Sequence, residues 1–300
     1  MNLQSIWSLL DESMNILGDD YGYPAMDKAA EEMGLSSDYT PWVAAVCLFE
    51  AESFTVADYM RIFPYGQARK NKELLASAAQ QGYLDSDGKD GFRATELGRN
   101  TARKIFSAAD DSIAPLQPLP DQPFQTLVNL LYRLVEASFA MPEPPAHFVL
   151  DHKRNMRGLP VTGSINHVER YISELGGFRD DMYVAGWGAH QVQGHVWETF
   201  DHLIQNGTLT FDDLFAKVER RVPTRELLAE NVQELARRGW ADDASGKIQI
   251  TSAGKQVRAE VEAETERLFF APWSSLNESE LDELASLASQ LRDGLKNSSR

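Results

Sequence analysis

Apolar and polar positions between Pro41 and Ala108 follow an order that returns between His195 and Lys255. The first stretch opens with an apolar-rich helix, Pro41 to Ala51, followed by Phe54-Thr55-Val56-Ala57-Asp58. Thr55 there can cap a helix, with Asp58 at the capping-box distance. That short helix reaches Ile62 and breaks at Pro64-Tyr65-Gly66. The spacing of Leu74, Leu75, Ala78 and Ala79 predicts a longer amphipathic helix from Gln67 to Gln81, stopped by Gly82. Two short strands, Tyr83-Leu84 and Phe92-Arg93-Ala94, flank the turn Ser86 to Gly91, and Thr95-Glu96-Leu97-Gly98 opens another helix to about Ala108. In the second stretch a helix runs from His195 to Gln205. Thr210 and Asp213 repeat the cap, and Val222-Pro223 supplies the turn. A helix from Thr224 to Arg238 buries Leu228, Val232 and Leu235 and ends at Gly239-Trp240. Strands then flank Asp243 to Gly246, and Thr251-Ser252-Ala253-Gly254 closes the pattern.

The capping threonines are offset by 155 residues, the glycine-aromatic pairs by 157 and the Thr-x-x-Gly pairs by 156. Helix, capped helix, turn, long helix, two-stranded wing and closing helix is the winged helix-turn-helix order. The expected fold class is mainly α with short β wings: tandem winged helix-turn-helix units joined by a helical central region. The expected division is 1–110 for the N-terminal helices and first unit, 111–190 for a linker and the central region, and 191–300 for the second unit with a dimerisation-type helix. Prolines 115, 118 and 120 make residues 109–123 an extended linker, and Phe124 to Phe139 reads as a helix. Leu3, Ile6, Trp7, Leu10, Met14 and Leu17 form one face of the first helix. Leu284, Leu287, Ala288, Leu291 and Leu295 line the last, which Asn277 and Glu280 open.

Composition fits a globular chain, with 43% apolar and 25% charged residues. Cys47 is the single cysteine, so an intramolecular disulfide and a cysteine metal cage are both excluded, and its apolar neighbours suggest a buried hydrophobe. No signal peptide or membrane span is legible, so the expected location is cytoplasmic. A net charge of -16 weighs against generic phosphate binding. The charge is uneven, however. Residues 1–60 hold eleven acids and one base, Lys28, whereas bases gather in Arg61 to Lys72, Lys153 to Arg170 and Lys217 to Arg238.

The helix ending Leu235-Ala236-Arg237-Arg238-Gly239-Trp240, then Ile250-Thr251-Ser252-Ala253-Gly254-Lys255, resembles the MarR-type regulators. So does the run Glu264-Thr265, Phe269-Phe270, Pro272-Trp273 and Leu276-Asn277-Glu278-Ser279-Glu280-Leu281. The likeness covers about residues 195–295 and is weaker over 40–108. It implies double-stranded DNA binding by the third helix and wing, relieved by a small aromatic ligand, with terminal helices joining subunits. Asp87, Asp90, Asp242 and Asp243 depart from the basic wing tip usual in that family. The residues placed to meet DNA are Gln67, Arg69, Lys70, Asn71 and Lys72 in the first unit and Arg220, Arg221, Thr224 and Arg225 in the second. Arg, Asn and Gln suit base edges, while Lys suits phosphate. Two units in one chain suggest a monomeric pseudo-dimer, with a homodimer as the alternative.

Arg179, Trp187, His190 and Trp197 are the candidate ligand-binding residues. No catalytic residue and no cofactor is assigned. His195, Glu198 and His202 share a helix face and form a weak divalent-metal set, without HExxH spacing. Arg179-Asp180-Asp181 can cap the helix leading to Trp187. Lys153, Arg154, Arg157 and Arg170 suit an acidic ligand or a solvated face. Phosphate-loop and nucleophile-elbow motifs are missing. Two alternatives to a regulator stay open: a ligand-binding or protein-interaction module without DNA binding, and a metal-dependent enzyme centred on Asp180, His190, His195 and Glu198.

Overall fold

The computed structural model describes residues 2–298 apart from 37–38, 51, 143–146, 156–163, 220 and 245. Residue contacts divide the chain into two compact units. One comprises Met1–Phe54, Leu74–Asp181 and Leu268–Arg300; the other comprises Thr55–Glu73 and Met182–Arg267. The boundaries between these units fall at 54/55 and inside three helices, at 73/74, 181/182 and 267/268. The protein is mainly helical with two small antiparallel sheets. No helix among the described residues is long and apolar enough to cross a membrane.

The first unit opens with α1 (Leu3–Ile16), followed by α2 (Tyr23–Glu32) and α3 (Thr40–Phe49). Next in the chain come β1 (Ser53–Thr55), α4 (Val56–Ile62), α5 (Ala68–Gln80), β2 (Leu84–Ser86), β3 (Gly91–Ala94) and α6 (Glu96–Ile113). The strand order is β1-β3-β2. Thr55 and Asp58 form the capping box expected of them, each side chain accepting the other's amide hydrogen bond. β1 was not foreseen. It is three residues long and leads straight into the cap, too short for a period-two signal.

The final helices of this unit differ from the sequence reading in three places. α6 continues to Ile113, and α7 begins at Asp121 and ends at Phe139, so the proline-rich connection spans only 114–120. The extra turn of α6 is held by buried Asp110, whose carboxylate accepts from Arg170 Nη2 (2.7 Å) and Asn166 Nδ2 (3.1 Å), and by buried Ile113. Pro123 is tolerated in the first turn of α7, where a backbone N–H has no helical partner to lose. After α8 (Phe148–Asn155), α9 runs unbroken from Ser164 to Gly188. Arg179-Asp180-Asp181 is therefore helix interior and does not cap the segment leading to Trp187. Instead Asp181 caps α8 from a distance, accepting from the amides of Val149 (2.9 Å) and Leu150 (3.0 Å). Gly177 lets α8 approach: a Cβ there would lie 2.8 Å from Lys153 Cδ and 3.3 Å from Val149 Cγ1.

In the second unit the element order of residues 40–113 recurs. α10 (Gly194–Asn206), β4 (Leu209–Thr210), α11 (Phe211–Val218), α12 (Arg225–Arg237), β5 (Ala241–Ala244), β6 (Lys247–Ile250) and α13 (Ser252–Phe270) follow one another, with strand order β4-β6-β5. The likeness extends to hydrogen bonds. Thr95 Oγ1 donates to Gly82 O (2.7 Å) and accepts from Gly98 N (3.0 Å); Thr251 Oγ1 donates to Gly239 O (2.6 Å) and accepts from Gly254 N (3.1 Å). A Cβ on Gly98 would come within 2.0 Å of Tyr83 O, and one on Gly254 within 2.3 Å of Trp240 O. The Thr-x-x-Gly motif thus ties the closing helix against the carbonyls that end the long helix, and only glycine fits the fourth position.

The core of the second unit gathers fully buried Trp197, Phe200, Leu203, Leu214, Val222, Leu228 and Leu235. At the C-terminus, α14 (Glu278–Ser298) opens with the reciprocal cap of Asn277 and Glu280. Its buried Leu284, Leu287, Leu291 and Leu295 pack on α1, which buries Ile6 and Leu10. Lys296 Nζ meets Glu12 Oε1 at 2.6 Å along the same seam. The apolar stripes that suggested subunit joining are consumed within the chain.

Candidate nucleic-acid interface

The α4–α5 turn and the α11–α12 turn approach one another in the second unit. A Cβ on Gly194, the first residue of α10, would lie 1.9 Å from Pro64 O, so the α4–α5 turn is seated against that helix start. Tyr65 lies 6.2 Å from Trp187, ring to ring, and the Arg221 guanidinium stands 5.2 Å from the Tyr65 ring. Arg221 belongs to the α11–α12 turn, three residues before Thr224, which caps α12 by accepting from Leu227 N (3.2 Å). Nothing in the sequence announces Tyr65 as a contact residue beyond its place in a helix-breaking Pro-Tyr-Gly.

Several candidate DNA-contacting side chains have partners inside the protein. Arg69 is 91% exposed and pairs with exposed Glu73 one turn on, at 3.0 Å. Lys72 is exposed, while Gln67 and Lys70 are half-buried. Asn71 Nδ2 contacts Met60 Sδ at 2.9 Å, so its amide braces α5 against α4. Arg221 grips both oxygens of Glu198 at 2.8 Å. Arg225 pairs with Asp212 at 2.6 Å and stands 5.1 Å from the Phe215 ring. Arg220, like Arg157 of the central basic patch, lies outside the described residues. In the first wing Asp87 accepts from the amides of Lys89 (2.8 Å) and Gly91 (3.0 Å), which hold its carboxyl below the usual range. The acid at that tip therefore builds the turn, as aspartate does in Asx turns. Asp242 and Asp243 are exposed on β5, opposite Gln249 and Ile248.

The candidate ligand residues divide. Trp187 stacks on Trp197 at 5.9 Å, Trp240 packs edge-on to Trp197 at 6.1 Å, and His190 lies edge-on to Trp240 at 5.6 Å. Trp197 is fully buried and donates from Nε1 to Tyr183 Oη (2.9 Å). These rings form the aromatic core of the second unit, whereas Arg179 belongs to the first. Tyr183 in turn donates to Asp201, which also takes Arg258 Nε at 2.9 Å. Burial raises the pKa values of both Tyr183 and Asp201.

The metal and enzyme constellation does not come together. His195 Nδ1 is bonded to Asn231 Oδ1 (2.8 Å), and Asn231 Nδ2 donates to Thr199 Oγ1 (2.9 Å). Glu198 is taken by Arg221, with His202 Nε2 at 3.4 Å. Asp180 belongs to the first unit, while His190, His195 and Glu198 belong to the second. No group of three or more His, Cys, Asp or Glu side chains arranged to hold a metal ion occurs among the described residues.

No curated protein and no solved structure matches the chain. A family model described as a helix-turn-helix family matches residues 175–299, which span α10 through α14. That match supports the general class and does not reach the MarR type. Residues 175–299 thus carry a helix-turn-helix domain.

Proposed function

We propose that the protein is a DNA-binding transcriptional regulator with two MarR-like winged helix-turn-helix units in one chain, acting as a ligand-responsive pseudo-dimer. The observation that carries this reading is the helix-turn-helix match over the segment where α10, α11, α12 and the β4-β6-β5 sheet follow in winged order. The DNA-facing groups are Arg69, Lys70 and Lys72 with Gln67 and Asn71 at the start of α5, and Arg221 and Arg225 with Thr224 at the start of α12; Arg220, outside the described residues, is proposed with them on its sequence position alone. The approach of Arg221 to Tyr65 supports one contiguous footprint beneath both helix starts. Two half-sites a full turn of about 34 Å apart are then unnecessary. Selection of random duplexes by the full chain, followed by footprinting, tests this. One enriched sequence with one continuous protected stretch is expected. Two separated patches refute the contiguous footprint, and no enrichment refutes DNA binding.

The second reading is a helix-turn-helix module that binds a ligand or a protein and not DNA. It is favoured by the engagement of Arg221 and Arg225 with Glu198 and Asp212 and by the net charge of -16. A chain with no duplex affinity even at low salt fits it.

A further inference from the structure

The second unit contains a polar pocket of about 460 Å³ whose walls include Tyr65, Glu198, Asp201, His202, Lys217 and Arg221. Small-molecule sites run from roughly 300 to 1,000 Å³ and are usually apolar, so a pocket of this size with charged walls suits a polar ligand. Both carboxylates are already committed. Glu198 holds Arg221 through both oxygens and has His202 Nε2 nearby, and Asp201 is held by Tyr183 and Arg258. The cationic side is less satisfied. Lys217 forms no ion pair among the described residues. His202 Nδ1 is shielded from solvent and has no hydrogen-bond partner among the described residues. Lys217 therefore lines the pocket beside a Glu198–Arg221 pair that is already closed, with an imidazole nitrogen of His202 still to be matched.

We infer that this pocket binds a small anion bearing a carboxylate or a phosphate group. Lys217 supplies the charge, Arg221 a planar pair of donors and the Tyr65 ring a flat wall; His202 completes the site by turning its ring toward the ligand. An anion that draws Arg221 from Glu198 shifts the turn leading to Thr224 and so the start of α12. This coupling rests on the DNA-binding reading, whereas the binding itself does not.

The test is calorimetric titration of the full chain without DNA, using 3-phosphoglycerate, citrate and inorganic phosphate, with glycerol as the uncharged control and ionic strength held constant. Saturable binding of at least one anion is expected. Lys217→Glu should weaken it by about tenfold or more, the loss of one charge-assisted contact. Exposed Lys255→Glu on α13 should leave it unchanged. Thermal melting of both variants without ligand should match the unsubstituted protein. Binding of citrate alone assigns a carboxylate site, and binding of both phosphates without citrate assigns a phosphate site. No binding of any probe overturns the inference, as does equal binding by Lys217→Glu or equal loss in Lys255→Glu. Duplex affinity measured with and without the bound anion then tests the coupling. A chain that binds the anion and no duplex refutes the DNA reading alone.

Discussion

Replacing Arg69, Lys70 and Lys72 together by alanine removes three cations from the first turns of α5 and leaves its buried face, Leu75 and Ala78, untouched. Alanine is the strongest helix former, so the helix itself is retained. The Arg69–Glu73 ion pair that is lost joins two exposed groups and is worth less than about 1 kcal/mol. If each cation neutralises one phosphate, the slope of log affinity against log salt should fall in magnitude by about 2.7. Between about 50 and 200 mM salt, the unsubstituted chain should then lose about 40-fold more affinity than the variant. Fluorescence anisotropy on a labelled duplex selected by the protein measures both slopes. Equal slopes with binding retained would show that the start of α5 does not face DNA and would remove it from the interface.

Three further predictions concern the fold that holds this surface. Gly194→Ala sets a Cβ 1.9 Å from Pro64 O, so despite alanine's better helix propensity it should destabilise the protein by about 1–3 kcal/mol in urea unfolding. A neutral result would mean that the Pro64-Tyr65-Gly66 turn is not seated on α10. Burial pushes the Asp181 carboxyl up to about 7, outweighing the two amide bonds that lower it. Its contribution is therefore fully present below the unfolded value of 3.8 and is lost as pH rises through about 7. Asp181→Asn should flatten the decline in stability over that window; an unchanged profile would show that Asp181 does not titrate there. Cys47 is buried, and burial pushes its thiol up to about 12, so native protein at pH 8 should not react with a disulfide reagent until denatured. Rapid labelling of the native chain would contradict that burial.

Features set by neighbours three or four residues away were legible in the sequence. The Thr55–Asp58 box, the Thr210 cap, the Asn277–Glu280 pair and the Thr95 and Thr251 caps all appear where the spacing put them, because each is completed within one helical turn. The buried face of α12 was legible for the same reason: Leu228 and Leu235 recur at helical spacing and are both buried, although Asn231 joins them and Val232 is only partly covered. The candidate interface was legible as residue types only. Arg69, Arg221 and Arg225 read as exposed cations. That Glu73, Glu198 and Asp212 hold them depends on distances that, apart from the i,i+4 pair, span 13 and 23 residues.

The remaining features were decided by tertiary structure. Gly177 stands inside α9, and only the packing of α8 shows why a glycine suits that position: a Cβ there would come within 2.8 Å of Lys153 Cδ. Asp180-Asp181 reads as a local cap, yet Asp181 serves the start of a helix about thirty residues earlier, where two orphan amides await an acceptor. The apolar stripes of α1 and α14 show in the sequence that each must be covered. Only the folded chain decides that they cover one another, since hydrophobic burial is non-directional and a stripe does not name its partner.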